Sequence, residues 1–241
     1  MSEYKKGEQI YEGKAKKVFA TDDPDYLIVE YKDSATAFDG LKKGTILGKG
    51  VVNNRMSNML MDKLSKEAGI PTHFVEEISD RETVVKNVKI LPLECIVRNI
   101  SAGSFAKRYG VEEGIVFAEP SFETSYKNDE LHDPLMVEDH AIALGLSTRE
   151  EYEKVREMAL AVDKYLQKFF LGIGLKLVDF KLEFGKFHDE IILADEISPD
   201  TCRLWDVETN EKMDKDRFRR DLGNVEETYQ EVFRRVTEAC K

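Results

Sequence analysis

A chain of 241 residues is long enough for one large domain, or for two smaller lobes around a shared cleft. Lys and Arg number 36 against 47 Asp and Glu, a net charge of -11, which argues against a non-specific nucleic-acid binder because phosphate-backbone affinity needs a basic footprint. Cys95, Cys202 and Cys240 are too few and too scattered for a disulfide framework or structural zinc, and no stretch approaches a membrane span, so the expectation is a reduced, cytoplasmic chain.

In chain order, Ile10–Tyr11, Lys17–Ala20 and Tyr26–Tyr31 read as an antiparallel meander, with Asp22-Asp23-Pro24-Asp25 as turn chemistry. Within it, Gly13-Lys14-Ala15-Lys16 is a basic turn. Glycine lets backbone N–H groups approach an anion and lysines add point charge, although a plain surface turn has the same composition. Residues 33–50, with Gly40, Gly44, Gly48 and Gly50, read as a loop and a candidate lid. Val51–Ala68 reads as a helix from the spacing of Val52, Met56, Met59, Leu60 and Leu64, stopped by Gly69 and Pro71.

Thr83–Val85 and Lys89–Arg98 read as strands, followed by a short helix over Ser101–Tyr109 ended by Gly110. A strand that ends in Arg98 and passes through small residues to Ser104 can make a phosphate site at a helix start; an ordinary strand-to-helix connection with a capping serine is the alternative. Ser147-x-x-Glu150 reads as a capping box, opening a helix to about Leu171. Leu175–Phe184 and Ile191–Ile197 read as a β-hairpin, and Asn224–Thr237 as a final helix. Strands and helices mix without strict alternation, so the fold class is α+β.

The chemistry concentrates in Val178-Asp179-Phe180-Lys181-Leu182-Glu183-Phe184-Gly185. Strand alternation sends Val178, Phe180, Leu182 and Phe184 one way and Asp179, Lys181 and Glu183 the other. A solvated charged face is the plain alternative. If an odd number of residues joins this strand to the next, Asp195 shares the face of Asp179 and Glu183. Carboxylates gathered around one lysine invite a hard cation, so Glu183 and Asp195 are candidate Mg²⁺ ligands and Lys181 faces a phosphate or carboxylate. Ser198-Pro199-Asp200-Thr201 is turn chemistry following directly, which brings Asp200 and Arg203 toward the same cleft, with Trp205 as core. His73, His132, His140 and His188 fit no ligand spacing.

Together these segments resemble the SAICAR synthetase family nearly end to end. The most specific stretches are Leu91-Pro92-Leu93-Glu94-Cys95-Ile96-Val97-Arg98 through Gly103-Ser104, and Val178 through Gly185. Gly13-Lys14-Ala15-Lys16, Asn53-Asn54, Lys127-Asn128-Asp129 with Asp133-Pro134, and Ser198-Pro199-Asp200 through Asp206 match as well. The resemblance implies a two-lobed α+β fold: a small antiparallel β-rich lobe at 1–89 and a larger ATP-grasp-like lobe at 90–241, with the active site between them. It implies an ATP- and Mg²⁺-dependent ligase joining L-aspartate to the carboxylate of carboxyaminoimidazole ribonucleotide, by way of an acyl phosphate, in a homodimer. A small-molecule kinase of the same nucleotide-binding fold is the alternative.

By the same resemblance, Lys14, Ala15, Lys16 and Val18 hold ATP, with Lys86, Ile90 and Glu94 near its adenine and ribose. Glu183 and Asp195 hold Mg²⁺ against the phosphates. Arg98, Ser104, Lys181 and Arg203 bind the ribonucleotide, Asp200 its ribose, and Asp179 with Lys181 stands at the reacting carboxylate. Two departures stand out. Thr36 replaces a frequent serine but keeps the hydroxyl. Asp216 replaces a frequent glutamine, which leaves Lys215 and Arg219 as helix-surface charges.

Overall fold

The computed structural model describes residues 2–38 and 40–241. Five N-terminal strands, β1 (Lys6–Glu12), β2 (Lys16–Thr21), β3 (Tyr26–Tyr31), β6 (Phe74–Glu77) and β7 (Glu82–Lys86), form an antiparallel sheet in the order β1-β2-β3-β7-β6. Strand parity divides its faces. Lys16 pairs with Tyr31, Val18 with Val29, and Leu27 with Val85, so these six side chains share the face that lines a large cleft. Ile28 and Val84, paired with each other, point the opposite way and are fully buried on the side where helix α1 (Lys49–Ala68) packs.

Residues 33–50 are not an unstructured loop. Ser34–Ala37 (β4) and Lys42–Thr45 (β5) pair as a hairpin, with Ser34 opposite Thr45 and Thr36 opposite Lys43. The many glycines and lysines disguise a period-2 pattern in which Ala35 and Ala37 are buried. Asp33 fixes the hairpin's entry and caps α1. Its carboxylate accepts from the Gly48 and Gly50 backbone N–H groups at 3.2 and 2.8 Å and from both Arg81 guanidinium ends at 2.8 and 2.9 Å. The Gly50 position admits no side chain, since a Cβ would stand 2.6 Å from the Tyr31 carbonyl oxygen.

The second sheet has the order β10-β9-β8-β11-β12 over Leu135–Met136, Val116–Tyr126, Lys89–Ile100, Leu175–Phe187 and Glu190–Ala194, and β13 (Cys202–Asp206) pairs with β11. The remaining helices are α2 (Gly103–Tyr109), α3 (Glu138–Ala143), α4 (Arg149–Gly172), α5 (Asp216–Arg219) and α6 (Val225–Ala239). The main core lies between this sheet and α4, α1 and α6, with Leu166, Phe170, Val162, Met56, Leu60 and Val232 at its centre. The inner stripe of α1 therefore joins the core of the second sheet. No described helix is long and apolar enough to cross a membrane.

Several expectations shift. The capping box sits one residue later: Thr148 accepts from Glu151 N–H, and Glu151 reaches back to Thr148 N–H, because the helix begins at Arg149. Ser104 caps nothing, since α2 opens at Ala102 without a side-chain cap. Strands β9 and β13 lack clean alternation and were not expected from the sequence.

Candidate functional site

All fifteen residues singled out above line one cleft of about 1030 Å³, bordered by both sheets. Backbone register explains the convergence. On the second sheet, Arg98, Asp179 and Arg203 occupy one cross-strand row, with Asp179 paired to both arginines. The next row toward the strand end carries Ile96 and Lys181, and the one after it Glu94, Glu183 and Ala194. Alternate residues Val97, Phe180, Cys95 and Leu182 are buried in the core behind. A twelve-residue strand, Lys89–Ile100, thus turns sequence alternation into a charged wall over an apolar one.

At one end of the cleft, Asp179 sits between two guanidiniums. It accepts from Arg98 at 2.6 Å and from Arg203 Nη1 at 3.0 Å on both oxygens. Arg98 also donates to Ser104 Oγ at 3.0 Å and to Glu123, and Arg203 Nε donates to Asp216 at 2.9 Å. Burial opposes the charge on Arg203, but Asp179 and Asp216 outweigh it and raise its pKa. Gly103 opens α2 at φ 52°, and a Cβ there would lie 2.6 Å from the Arg203 guanidinium carbon. Only glycine allows the helix start to approach the arginine this closely. Lys215 and Arg219 are not the helix-surface charges expected, since both line the cleft; Asp216 is buried and bridges Arg203 to Arg219, which donates to it at 2.7 Å.

At the centre, three lysines interleave with four carboxylates. Lys181 donates to Glu94 at 3.0 Å and to Glu183 at 2.9 Å and lies 3.7 Å from Asp195. Lys127 donates to Glu183 at 2.7 Å. Lys16 donates to Asp195 and lies 3.2 Å from Glu196. Burial opposes the charges on Lys16 and Lys181, but the carboxylates prevail and both lysines stay protonated; the same lysines hold Asp195 below the usual carboxylate range against its own burial.

Asp195 arrives by a different route from the one expected. Two residues, His188 and Asp189, separate β11 from β12, and Glu183 pairs with Ala194. Parity would then put Asp195 on the apolar face of Leu182. The chain instead leaves the strand at Asp195 with φ 59°, a left-handed turn that swings the carboxylate to Lys16.

At the other end, Val18, Leu27, Val29, Val85, Val88 and Ile90 make an apolar wall. Lys86 lies beside it, over the Phe187 ring at 5.5 Å. At the mouth, Lys14 pairs with Asp129 at 3.1 Å across the two sheets.

Asp200 lines the cleft as well. Its carboxylate accepts from Tyr229 at 2.6 Å and from Lys49 at 2.9 Å. Both partners were missed in the sequence: Lys49 lay in the segment read as a loop, and Tyr229 looked like part of an apolar stripe. Lys127 stood in a recognised motif without an assigned role, and Glu196 stood beside Asp195. His73 lines the cleft, and burial with Lys16 nearby lowers its pKa to about 4, so it stays neutral.

Residues 9–236 match the SAICAR synthetase family model. A phosphoribosylaminoimidazole-succinocarboxamide synthase from Lachnoclostridium phytofermentans is 63% identical over 232 residues, covering 96% of this chain and 98% of that protein. The chain belongs to the SAICAR synthetase family. Solved structures agree. The phosphoribosylaminoimidazole-succinocarboxamide synthase of Ehrlichia chaffeensis superposes with a TM-score of 0.93 at 47% identity, over 95% of this chain and 98% of that one. A SAICAR synthetase in complex with ADP superposes with a TM-score of 0.91 at 49% identity, over 95% and 97% of the two chains. The family's α+β architecture is therefore the fold of this chain.

Proposed function

We propose that this chain is the ATP-dependent ligase its family membership indicates, joining L-aspartate to the carboxylate of carboxyaminoimidazole ribonucleotide. The observation that carries the proposal is the order of the cleft: an apolar wall, a lysine–carboxylate centre, then a paired-arginine pocket. That order suits an adenine, a phosphoryl transfer and a phosphorylated nucleotide along one line.

Residues 1–89 act as the nucleotide-binding lobe and 90–241 as the catalytic lobe. Lys14, Ala15, Lys16 and Val18 sit on ATP, with Lys86, Ile90 and Glu94 toward its base and sugar. Arg98, Ser104 and Arg203 grip the 5′-phosphate, Asp200 borders the ribose, and Lys181 with Asp179 orients the reacting carboxylate. A carboxylate resists attack by an amine because oxide is a poor leaving group. Transfer of the γ-phosphoryl group to one carboxylate oxygen releases ADP. The aspartate amine then attacks the acyl carbon, and that oxygen leaves with phosphate. The chain's part is positioning and charge neutralisation by fixed lysines and arginines, already held by carboxylates so that little reorganisation is needed.

The donor set suits magnesium. Glu183 and Asp195 offer hard oxygens, and Glu196 Oε2 is buried without a hydrogen-bond partner. Among the described residues no group of three or more side chains forms a closed metal cage, so substrate phosphates would complete the shell. When bound, the ion neutralises phosphate charge at the transferred group.

The same reading carries a cytoplasmic homodimer, consistent with three unpaired cysteines. Isotope transfer tests the chemistry. With ¹⁸O in the ribonucleotide carboxylate, the released phosphate should carry one ¹⁸O. Unlabelled phosphate would defeat the acyl phosphate, and a stable phosphorylated product without aspartate would favour a kinase.

A further inference from the structure

The paired-arginine pocket is braced from outside the cleft. Ser101 leads from β8 into α2, and the segment from Gly110 to Ile115 folds back across it. Ser101 N–H donates to the Ile115 carbonyl and its own carbonyl accepts from Gly114 N–H, each at 2.9 Å. The Ser101 hydroxyl donates to the Glu112 carbonyl at 2.6 Å and accepts from Ile115 N–H at 2.8 Å. Four hydrogen bonds to one fully buried serine leave this segment little freedom, and they set Glu113 over the start of α2.

Glu113 meets two groups there. Its Oε1 accepts from Gly103 N–H at 3.0 Å, which satisfies a donor that α2 leaves open by starting at Ala102 without a side-chain cap. Arg220, just past α5, donates to both carboxylate oxygens at 3.0 and 2.5 Å, a two-point pairing. Lys212, stacked over the Trp205 ring, stands 3.9 Å away. Arg220, helped by the Gly103 N–H, holds the Glu113 carboxyl below its usual range against partial burial.

These contacts form a ring around Arg203. Arg220 lies 3.5 Å from Asp216, Asp216 accepts from Arg203 at 2.9 Å, and the Arg203 guanidinium closes against Gly103, where a Cβ would stand 2.6 Å from its central carbon. Arg203 lines the cleft, whereas Glu113 and Arg220 stand behind it. Without the Glu113 carboxylate, two things change together. Gly103 N–H loses its acceptor, and Arg220 is freed to compete with Arg203 for Asp216. Either change moves a guanidinium that has to meet a phosphate, and a displacement of about 1 Å is enough to weaken such a contact.

We infer that Glu113 and Arg220 are positioning residues for the ribonucleotide, holding Gly103 and Arg203 in register from outside the cleft. This rests on the ligase reading, which puts the 5′-phosphate on Arg98, Ser104 and Arg203.

The experiment is steady-state ADP release with the ribonucleotide and ATP varied in turn, together with thermal melting. Glu113→Ala should raise the ribonucleotide KM by about three- to tenfold, the loss expected for a hydrogen-bonded ion pair that solvent partly reaches, and leave the ATP KM near wild type. Glu113→Gln keeps an oxygen for Gly103 N–H and should recover most of that loss. Arg220→Gln should raise the same KM by about two- to threefold. Glu112→Ala removes an equal charge from the neighbouring exposed residue and should change neither KM. An unchanged ribonucleotide KM in Glu113→Ala, an equal rise in both KM values, or an equal effect of Glu112→Ala overturns the assignment. A Glu113→Gln variant as impaired as Glu113→Ala at the same melting temperature overturns the role of the Gly103 contact. Wild-type ADP release that ignores the ribonucleotide overturns the ligase reading itself, and is distinguishable because the unaltered protein already fails.

Discussion

Replacing Gly103 by alanine probes the approach of α2 to the arginine pocket. The new Cβ would lie 2.6 Å from the Arg203 guanidinium carbon, against an ordinary carbon–carbon contact of about 3.5 Å or more. Arg203 cannot retreat freely. It donates to both Asp179 oxygens at 3.0 Å and to Asp216 at 2.9 Å. Relieving a shortfall of roughly 0.9 Å breaks at least one of these, and a hydrogen bond between charged groups is worth about 1.5–3 kcal/mol. The positive φ adds about 1 kcal/mol for a residue with a Cβ. Gly110 is the control: it has φ 63° but nothing within 4 Å of its would-be Cβ, so its alanine variant carries the backbone cost alone. The assays are KM for the ribonucleotide and thermal melting. Gly103→Ala should raise that KM by about ten- to a hundredfold and melt below Gly110→Ala, which should keep a near-normal KM. If the two variants behave alike in both assays, the close-approach argument is wrong.

Asp33→Asn tests the cap of α1. Arg81 and two backbone N–H groups lower the Asp33 pKa to about 2 despite the opposing effect of burial, so its contribution is full above about pH 5 and is lost as pH falls from about 4 toward 2. Discounted for partial solvent access, the contribution is about 1–2 kcal/mol; urea midpoints should show the variant less stable at pH 7 and converging with wild type near pH 2. Lys16→Gln leaves Asp195 and Glu196 without their shared cation, and should raise the KM for ATP at least about tenfold, measured by initial rates. Leu166→Ala opens a cavity in the main core, where Leu166 is fully buried, and should cost about 2–5 kcal/mol in denaturant melts with the substrate KM values unchanged.

How far the sequence reached depends on which signals were local. The charged face of β11 was legible because alternation is a local rule, and Asp179, Lys181 and Glu183 needed only the strand to be right. The hairpin at 34–45 was not, since its strands are four residues each, the second is Lys42-Lys43-Gly44-Thr45, and the buried side chains of the first are alanines. Asp195 reached the site through a single left-handed residue, which no periodicity records. Lys49 and Tyr229 were hidden for a different reason: their partner, Asp200, is 151 and 29 residues away, and only the packing of α1 and α6 brings them to it. Lys215 and Arg219 looked like surface charges because a four-residue helix gives no pattern from which to judge a buried face.

The central claim is that the cleft couples ATP cleavage to amide formation through its lysine–carboxylate centre. The direct measurement is ADP release from ATP, Mg²⁺ and carboxyaminoimidazole ribonucleotide, with and without L-aspartate, in wild type and Glu183→Gln. The account predicts sustained release only when aspartate is present and Glu183 is intact. Sustained release without aspartate, or wild-type rates in Glu183→Gln, would contradict it.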